Sequence, residues 1–268
     1  MTLDKQQGAF VENKLARWSP LSGIAFVVLY VTAGVLFDDE PGSGASDHAI
    51  LAYYRDDGNQ LKLEVAFLLA TFAGVFFIWF AGTLSARLRA AEAEGGWLSR
   101  IPLISGAAFA VLTVSTAALY QFVADAVDDN PDRFEVDPDT ARLLTNGAYT
   151  LSPEAAFPLA APLVLAASLV FLRTRLTPRW FGRAGFVVAL GCLLGFLGAT
   201  TGLFLLWVVV VAVLLMRSAP SSAGALSLRP ALPRSDEVLA RGGYSRAGSR
   251  RFSTAAPTFG RHLPSCAL

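Results

Sequence analysis

The sequence predicts an all-α fold, a six-helix transmembrane bundle with short amphipathic helices in its two long outer loops. Three observations lead there. Six long apolar stretches carry almost no internal charge, the basic residues between them fall on alternate sides, and helix-starting residues stand at their edges. A spanning helix needs roughly 20 apolar residues, because every backbone group must find its partner within the helix where no water reaches.

The expected spans are Leu21 to Phe37, Leu61 to Ala86, Ile101 to Ala124, Pro153 to Leu172, Phe181 to Leu197 and Thr201 to Met216. They form a domain over 21–217, between an N-terminal arm (1–20) and a tail (218–268). The first span opens at Ser19-Pro20; Ser152-Pro153 and Thr177-Pro178 repeat that pairing. A hydroxyl can accept from an orphan amide, and proline at the first helical position loses only a donor that had no partner. Val31-Thr32-Ala33 offers small residues after an apolar run, but about twenty mostly polar residues precede the run, so a cleaved signal peptide is not expected.

Between the first two spans, Ser46-Asp47 can cap a short helix that carries Ile50, Leu51 and Tyr54 on one side and ends at Gly58. The loop before the fourth span repeats the idea. Asp137 caps, Pro138 takes the first position, Asp139 suits the helix dipole, and Ala141, Leu144 and Ala148 recur at helical spacing. In the fourth span Pro158 and Pro162 predict a kink between Phe157 and Pro162. Along the fifth, Gly191, Gly195 and Gly198 thin one face for close helix packing, and Gly198 to Gly202 supplies a tight reversal into the sixth. The long first outer loop has no counterpart between the fifth and sixth spans, which argues against an inverted three-plus-three repeat.

Charge gives the expected orientation. The arm, the second and fourth connectors and the tail hold 18 of the 22 Lys and Arg residues and a formal charge of +12. The opposite loops hold 15 of the 21 acidic residues and stand at −11. Cytoplasmic connectors carry the basic excess, so both termini are expected in the cytoplasm of a cell-membrane protein. The tail is rich in Ser, Ala, Gly, Pro and Arg without hydrophobic periodicity and is expected to be disordered. Its Arg250-Arg251-Phe252-Ser253 follows the same basic bias.

The ionisable residues exclude several chemistries. No span centre carries a charge; Glu64, Asp125 and Glu154 stand near outer ends, where they could line a vestibule. His48 and His262 lie outside the spans, so axial haem ligation and a membrane-embedded serine protease are both unsupported. Cys192 and Cys266 make neither a disulfide framework nor a redox pair, and Cys266 is one residue too close to the end for prenylation. Asp38-Asp39-Glu40 and Asp128-Asp129-Asn130 with Asp132 offer hard oxygen ligands without the spacing of a calcium loop. No phosphate-binding loop or nucleic-acid-binding stripe occurs. No catalytic, cofactor-binding or metal residue is therefore assigned.

Several segments carry a resemblance: Ala49-Ile50-Leu51-Ala52-Tyr53-Tyr54, Phe77-Ile78-Trp79-Phe80, Thr177-Pro178-Arg179-Trp180-Phe181-Gly182, and Leu206-Trp207 with its following valines. Between about Leu21 and Arg217 the chain resembles the bacterial membrane proteins, common in actinobacteria, that carry the domain of unknown function numbered 4386. That resemblance implies a six-helix integral membrane protein and brings no functional residues. The residues favour a non-enzymatic membrane component that binds a lipid, a small apolar ligand or a partner subunit, including a second copy of itself. The alternatives are a small-solute permease using the fourth span and, third, an enzyme at the membrane surface.

Overall fold

The computed structural model describes residues 18–42, 44–92, 96–129, 137–174, 177–194 and 199–217. Among these there is no strand, and the helices are α1 (Leu21–Phe37), α2 (Asp47–Tyr54), α3 (Asp57–Ala91), α4 (Ile101–Asp129), α5 (Pro138–Tyr149), α6 (Phe157–Thr174), α7 (Arg179–Leu193) and α8 (Ala199–Arg217). A 3-10 turn at Leu98–Arg100 leads into α4, and a π-helical turn at Thr150–Ala156 joins α5 to α6. Among the described residues, four stretches are long and apolar enough to cross a membrane: Asp57–Ala91, Leu98–Ala126, Pro138–Thr174 and Thr200–Arg217. Helix α1 is a shorter apolar helix of 17 residues.

The long helices pack in a cycle, α1 on α3, α3 on α4, α4 on α6, α6 on α7, α7 on α8 and α8 back on α1. Phe26 of α1, Phe77 of α3, Phe109 of α4, Phe157 of α6 and Phe204 of α8 are buried together inside it. Their rings meet at centroid distances of 4.5 Å (Phe26 to Phe77), 4.8 Å (Phe77 to Phe109), 5.4 Å (Phe109 to Phe204) and 5.7 Å (Phe157 to Phe204). Tilted and edge-on contacts at such distances suit the ring quadrupole and contribute about 0.5–1.5 kcal/mol per pair beyond area burial. The outward faces are also apolar: Val28, Val31 and Val35 on α1 and Phe72, Val75 and Ile78 on α3 are all exposed.

Both short helices, α2 and α5, form as their caps predict. Ser46 accepts from the Ala49 amide and Asp137 from the Thr140 amide. Gly58 does not end α2, however. That helix closes at Arg55, and Asp56 caps a new start, accepting from the Asn59 amide at 3.0 Å, so Gly58 lies in the first turn of α3. The cap lengthens α3 beyond the expected second span to 35 residues.

Hydroxyl–proline pairs prove weaker signals. Pro20 and Pro178 do precede α1 and α7, but neither helix start has a side-chain cap. Ser19 instead ties α1 to α3, contacting the Thr83 hydroxyl and accepting from Trp79 Nε1 at 3.0 Å. Ser152-Pro153 starts nothing, because the chain is already helical and passes through it in the π turn.

That π turn lies just upstream of the expected kink between Phe157 and Pro162, and α6 runs on through Pro162. Prolines 158 and 162 withhold donors from the carbonyls of Glu154 and Pro158, four residues earlier. Ser105 of α4 braces the helix beside them, its hydroxyl donating to the Leu159 carbonyl and accepting from the Leu163 amide at 3.2 Å, groups that lose no partner to either proline.

Among the described residues of the fifth apolar segment, the closest approach is at Gly185. Gly195 and Gly198 lie outside the described residues, as do Arg175, Asn130, Asp132, most of the N-terminal arm and the tail from 218. Gly191 leaves ordinary space beside Thr200, where an added Cβ would stand 3.5 Å from its Cγ2. Gly185 is the tight position: a Cβ there would lie 1.9 Å from Ser168 Oγ and 3.0 Å from Ser168 Cβ on α6. Ser168 is fully buried and its hydroxyl already donates to the Val164 carbonyl at 2.7 Å, so it has little room to yield.

Gly185→Ala is expected to destabilise the protein by about 1–3 kcal/mol through overpacking, read as a lower unfolding midpoint in detergent. Adding Ser168→Ala should recover part of that loss. Ser105→Ala should cost a similar roughly 1–3 kcal/mol, because it removes both hydrogen bonds to α6.

Candidate functional site: a tyrosine-lined cavity beneath a helical cap

Two polar regions occupy the end of the structure that holds α2 and α5. The outer one is the cap. Tyr53, Tyr54 and Ile50 of α2 pack with Ala141 and Ala148 of α5 onto Leu63 of α3 and Tyr120, Val123 and Ala124 of α4. Arg142 of α5 clamps the loop before α2, donating to Asp47 Oδ1 at 2.5 Å, to the Ala45 carbonyl at 2.8 Å and to Asp139 Oδ1 at 2.9 Å.

Glu40 stands beneath that clamp. Its Oε1 accepts from the Tyr54 hydroxyl and, at 2.9 Å, from the Thr145 hydroxyl, while Oε2 is buried with no donor among the described residues. Burial raises the Glu40 pKa, and the hydrogen bonds from Tyr54 and Thr145 oppose the rise. Burial and the Glu40 charge push Tyr54 upward too; Tyr53 is raised to about 12 by burial, then by Glu40 and Asp39. The phenols therefore remain donors well beyond neutral pH.

Below the cap, a cavity of about 280 Å³ opens between α1, α3, α4, the π turn and α8. Its polar lining comes chiefly from Tyr30 of α1, Thr113, Thr116 and Tyr120 of α4, and Tyr149 and Ser152 beside α6. Phe157, one of the five central rings, also lines it. Tyr30 and Ser152 line it together, and the Tyr120 ring meets that of Tyr149 edge-on at 6.3 Å. Phe37 stacks on the Tyr120 ring at 4.8 Å. The Thr113 and Thr116 hydroxyls donate to the Phe109 and Leu112 carbonyls, at 2.9 Å each, which leaves their oxygens able to accept. The lining thus offers hydroxyl donors and acceptors on otherwise apolar walls, an arrangement suited to orienting a small amphipathic molecule.

Of the outer carboxylates, Glu64 and Asp125 line one groove between α3 and α4, whereas Glu154 is exposed on the π turn and is not among that groove's lining residues. Asp38 lines the tyrosine cavity and Glu40 sits in the cap, so the first acidic cluster is divided between two environments. His48 is exposed on α2 and Cys192 is buried in α7. Among the described residues no three His, Cys, Asp or Glu side chains gather as a metal site.

Only part of the tyrosine cavity has a signal in the sequence. Thr113, Thr116 and Tyr120 are spaced three and four apart, which places three hydroxyls on one helical face. Tyr30 and Ser152 had no such local signal, since only tertiary packing pairs them. The chain matches no family model, no curated protein and no solved structure.

Glu40 makes stability pH-dependent in a direction that follows from its raised pKa. Its contribution is complete below the ordinary value of 4.5 and is lost as pH rises through the folded-state value. Asp137, held low by the Thr140 hydroxyl and amide, acts in the opposite sense and at lower pH. Between about pH 5 and about pH 8 the unfolding midpoint of Glu40→Gln should therefore fall less than that of the unsubstituted protein. Parallel curves for the two proteins would remove Glu40 from that role.

Proposed function

We propose that the chain is a six-span, non-enzymatic protein of the cell membrane that holds a lipid or small amphipathic ligand in the tyrosine-lined cavity. The observation that carries this reading is the cavity itself: hydroxyls from four separate segments converge on apolar walls inside a stack of apolar helices. Polar groups enclosed at such a place mark a ligand or solute site by default, because their burial in hydrocarbon costs free energy.

Two features support six spans with both ends in the cytoplasm. Trp18, Trp97 and Trp180 are exposed next to the basic connectors, as expected of an interfacial aromatic belt, while α2, α5 and most of the acidic residues gather at the other end. Helices α1 and α7 are short, about 25 Å and about 22 Å at the usual rise, and would span by local thinning of the bilayer or by interfacial anchoring of Trp18 and Trp180. Kinship with the domain 4386 membrane proteins belongs to the same proposal and rests on the segments at 49–54 and 177–182.

Native mass spectrometry after gentle extraction from the host membrane tests the ligand. A defined extra mass is expected on the unsubstituted protein, and it should be lost from a Tyr30→Phe, Tyr120→Phe double variant that still unfolds cooperatively. Bare protein from several lipid backgrounds would overturn the reading. For topology, reporter fusions after residue 217 should be active only as cytoplasmic reporters, and fusions at residue 43 only as external ones.

The π turn favours a second reading, a permease, because Ser152 lies both in that turn and on the cavity wall. Single π turns inside α-helices recur at functional positions. Uptake of solute into sealed vesicles, absent in the double tyrosine variant, would decide for transport.

A further inference from the structure

Five aromatic rings line the tyrosine cavity: Tyr30 and Phe37 of α1, Tyr120 of α4, Tyr149 of α5 and Phe157 of α6. Ring contacts hold them in place. Phe37 stacks on Tyr120 at 4.8 Å, Tyr120 meets Tyr149 edge-on at 6.3 Å, and Phe157 packs edge-on against Phe109 at 5.6 Å. An aromatic ring is negative over its faces, so rings gathered around one space favour a cation within it. Taken alone, the rings would also suit a neutral apolar guest.

The charges on the lining separate the two. Asp38 stands on the wall, and among the described residues none that lines the cavity is Lys, Arg or His. Lys62 pairs with the neighbouring Asp39 at 3.2 Å. Asp38 also closes α1, so the negative end of that helix dipole lies at the same place, with no basic residue in the last turn to offset it. Thr113 and Thr116 commit their protons to the Phe109 and Leu112 carbonyls and present lone pairs only. Rings, carboxylate, helix end and threonine oxygens come from separate parts of the chain and share one sign. An anion is repelled by them, and a neutral guest draws nothing from Asp38.

The kind of cation follows from hydration. A metal ion needs several converging oxygen ligands, and among the described residues no three His, Cys, Asp or Glu side chains gather. A primary ammonium is compact and strongly hydrated; Asp38 is exposed, so such an ion pairs with it from water and gains little from the rings. A nitrogen that carries only carbon has no N–H to satisfy, spreads its charge over an apolar surface and is the cation that aromatic cages select. The volume of about 280 Å³ lies just under the usual range of small-molecule sites, roughly 300–1,000 Å³, which restricts the guest to a small one. We infer that the cavity binds a small quaternary ammonium ion, its nitrogen among the rings beside Asp38 and any hydroxyl it bears donating to the Thr113 or Thr116 oxygen. The inference rests on the cavity being the ligand site and adds the chemistry of its occupant.

Calorimetric titration of the full-length protein in detergent compares three alcohols: choline, ethanolamine, and neohexyl alcohol, in which carbon replaces the choline nitrogen. Saturable one-to-one binding of choline is expected, tighter than that of either comparator by roughly tenfold or more, as for a cation desolvated among rings. Asp38→Asn should weaken choline by roughly two- to fivefold and leave neohexyl alcohol unaltered. Tyr149 is 57% exposed, so its replacement carries little risk to folding. Tyr149→Leu should weaken choline by roughly two- to fivefold, whereas Tyr149→Phe, which keeps the ring, should not. Unfolding midpoints of the unliganded variants are read alongside. Absent choline binding, equal affinity for ethanolamine, or affinity unchanged by both Asp38→Asn and Tyr149→Leu would overturn the inference. Equal affinity for neohexyl alcohol would overturn it too while leaving the cavity a site for neutral amphipathic ligands, a reading that falls separately if native mass spectrometry finds only bare protein.

Discussion

Contact among five phenylalanines, each from a different helix, is the constraint on which the rest of the structure depends. Phe26, Phe77, Phe109, Phe157 and Phe204 join α1, α3, α4, α6 and α8 at one level of the bundle. For helices surrounded by hydrocarbon, burial of apolar area gives little drive to associate, since lipid tails are equally apolar. Shape and ring geometry must then decide which helices meet. A phenylalanine cluster does this well, because its rings have few rotamers and prefer tilted or edge-on contact. Helix α7 joins by the ring contact of Phe181 with Phe171 of α6 and by the close approach of Gly185 to Ser168.

The cluster also determines where polar residues can be tolerated. Phe157 belongs both to it and to the cavity lining, so the hydroxyls of Tyr30, Thr113, Thr116 and Tyr120 occupy the part of the bundle toward the cap. In that part ring contacts continue, Phe37 to Tyr120 and Tyr120 to Tyr149, beside the hydroxyls. The π turn fits the same division. It lies where prolines weaken the ladder, and Ser105 supports the helix beyond it.

The cap shows how a charge can serve a loop. Arg142 gathers Asp47, Asp139 and the Ala45 carbonyl into one network, and Glu40 lies below it against Tyr54 and Thr145. Exposed ion pairs contribute little individually. Here the guanidinium spans α5, α2 and the loop between α1 and α2, so its main effect is to hold those segments in register over the cavity. Glu40 carries the opposite kind of energetics: its carboxylate is hydrogen-bonded on one oxygen only, and burial disfavours its charged form.

Local residues by themselves determined the helical class, the bounds of α1, the starts of α2 and α5, and the separation of basic from acidic ends. Each depends on short-range physics: apolar length, the Ser46 and Asp137 caps, and charge counted along the chain. Tertiary structure decided the remainder. Gly191 and Gly185 look alike in sequence, yet only Gly185 faces a buried serine across a helix contact. Pro158 and Pro162 predicted irregularity but neither the π turn at Thr150–Ala156 nor the bonds that Ser105, more than fifty positions away, makes to α6 beside them. Glu40 read as one member of an acidic run until folding brought Tyr54 and Thr145 to it. The candidate site was legible only as hydroxyls on one face of α4; the cavity they line exists because distant helices meet around the phenylalanines.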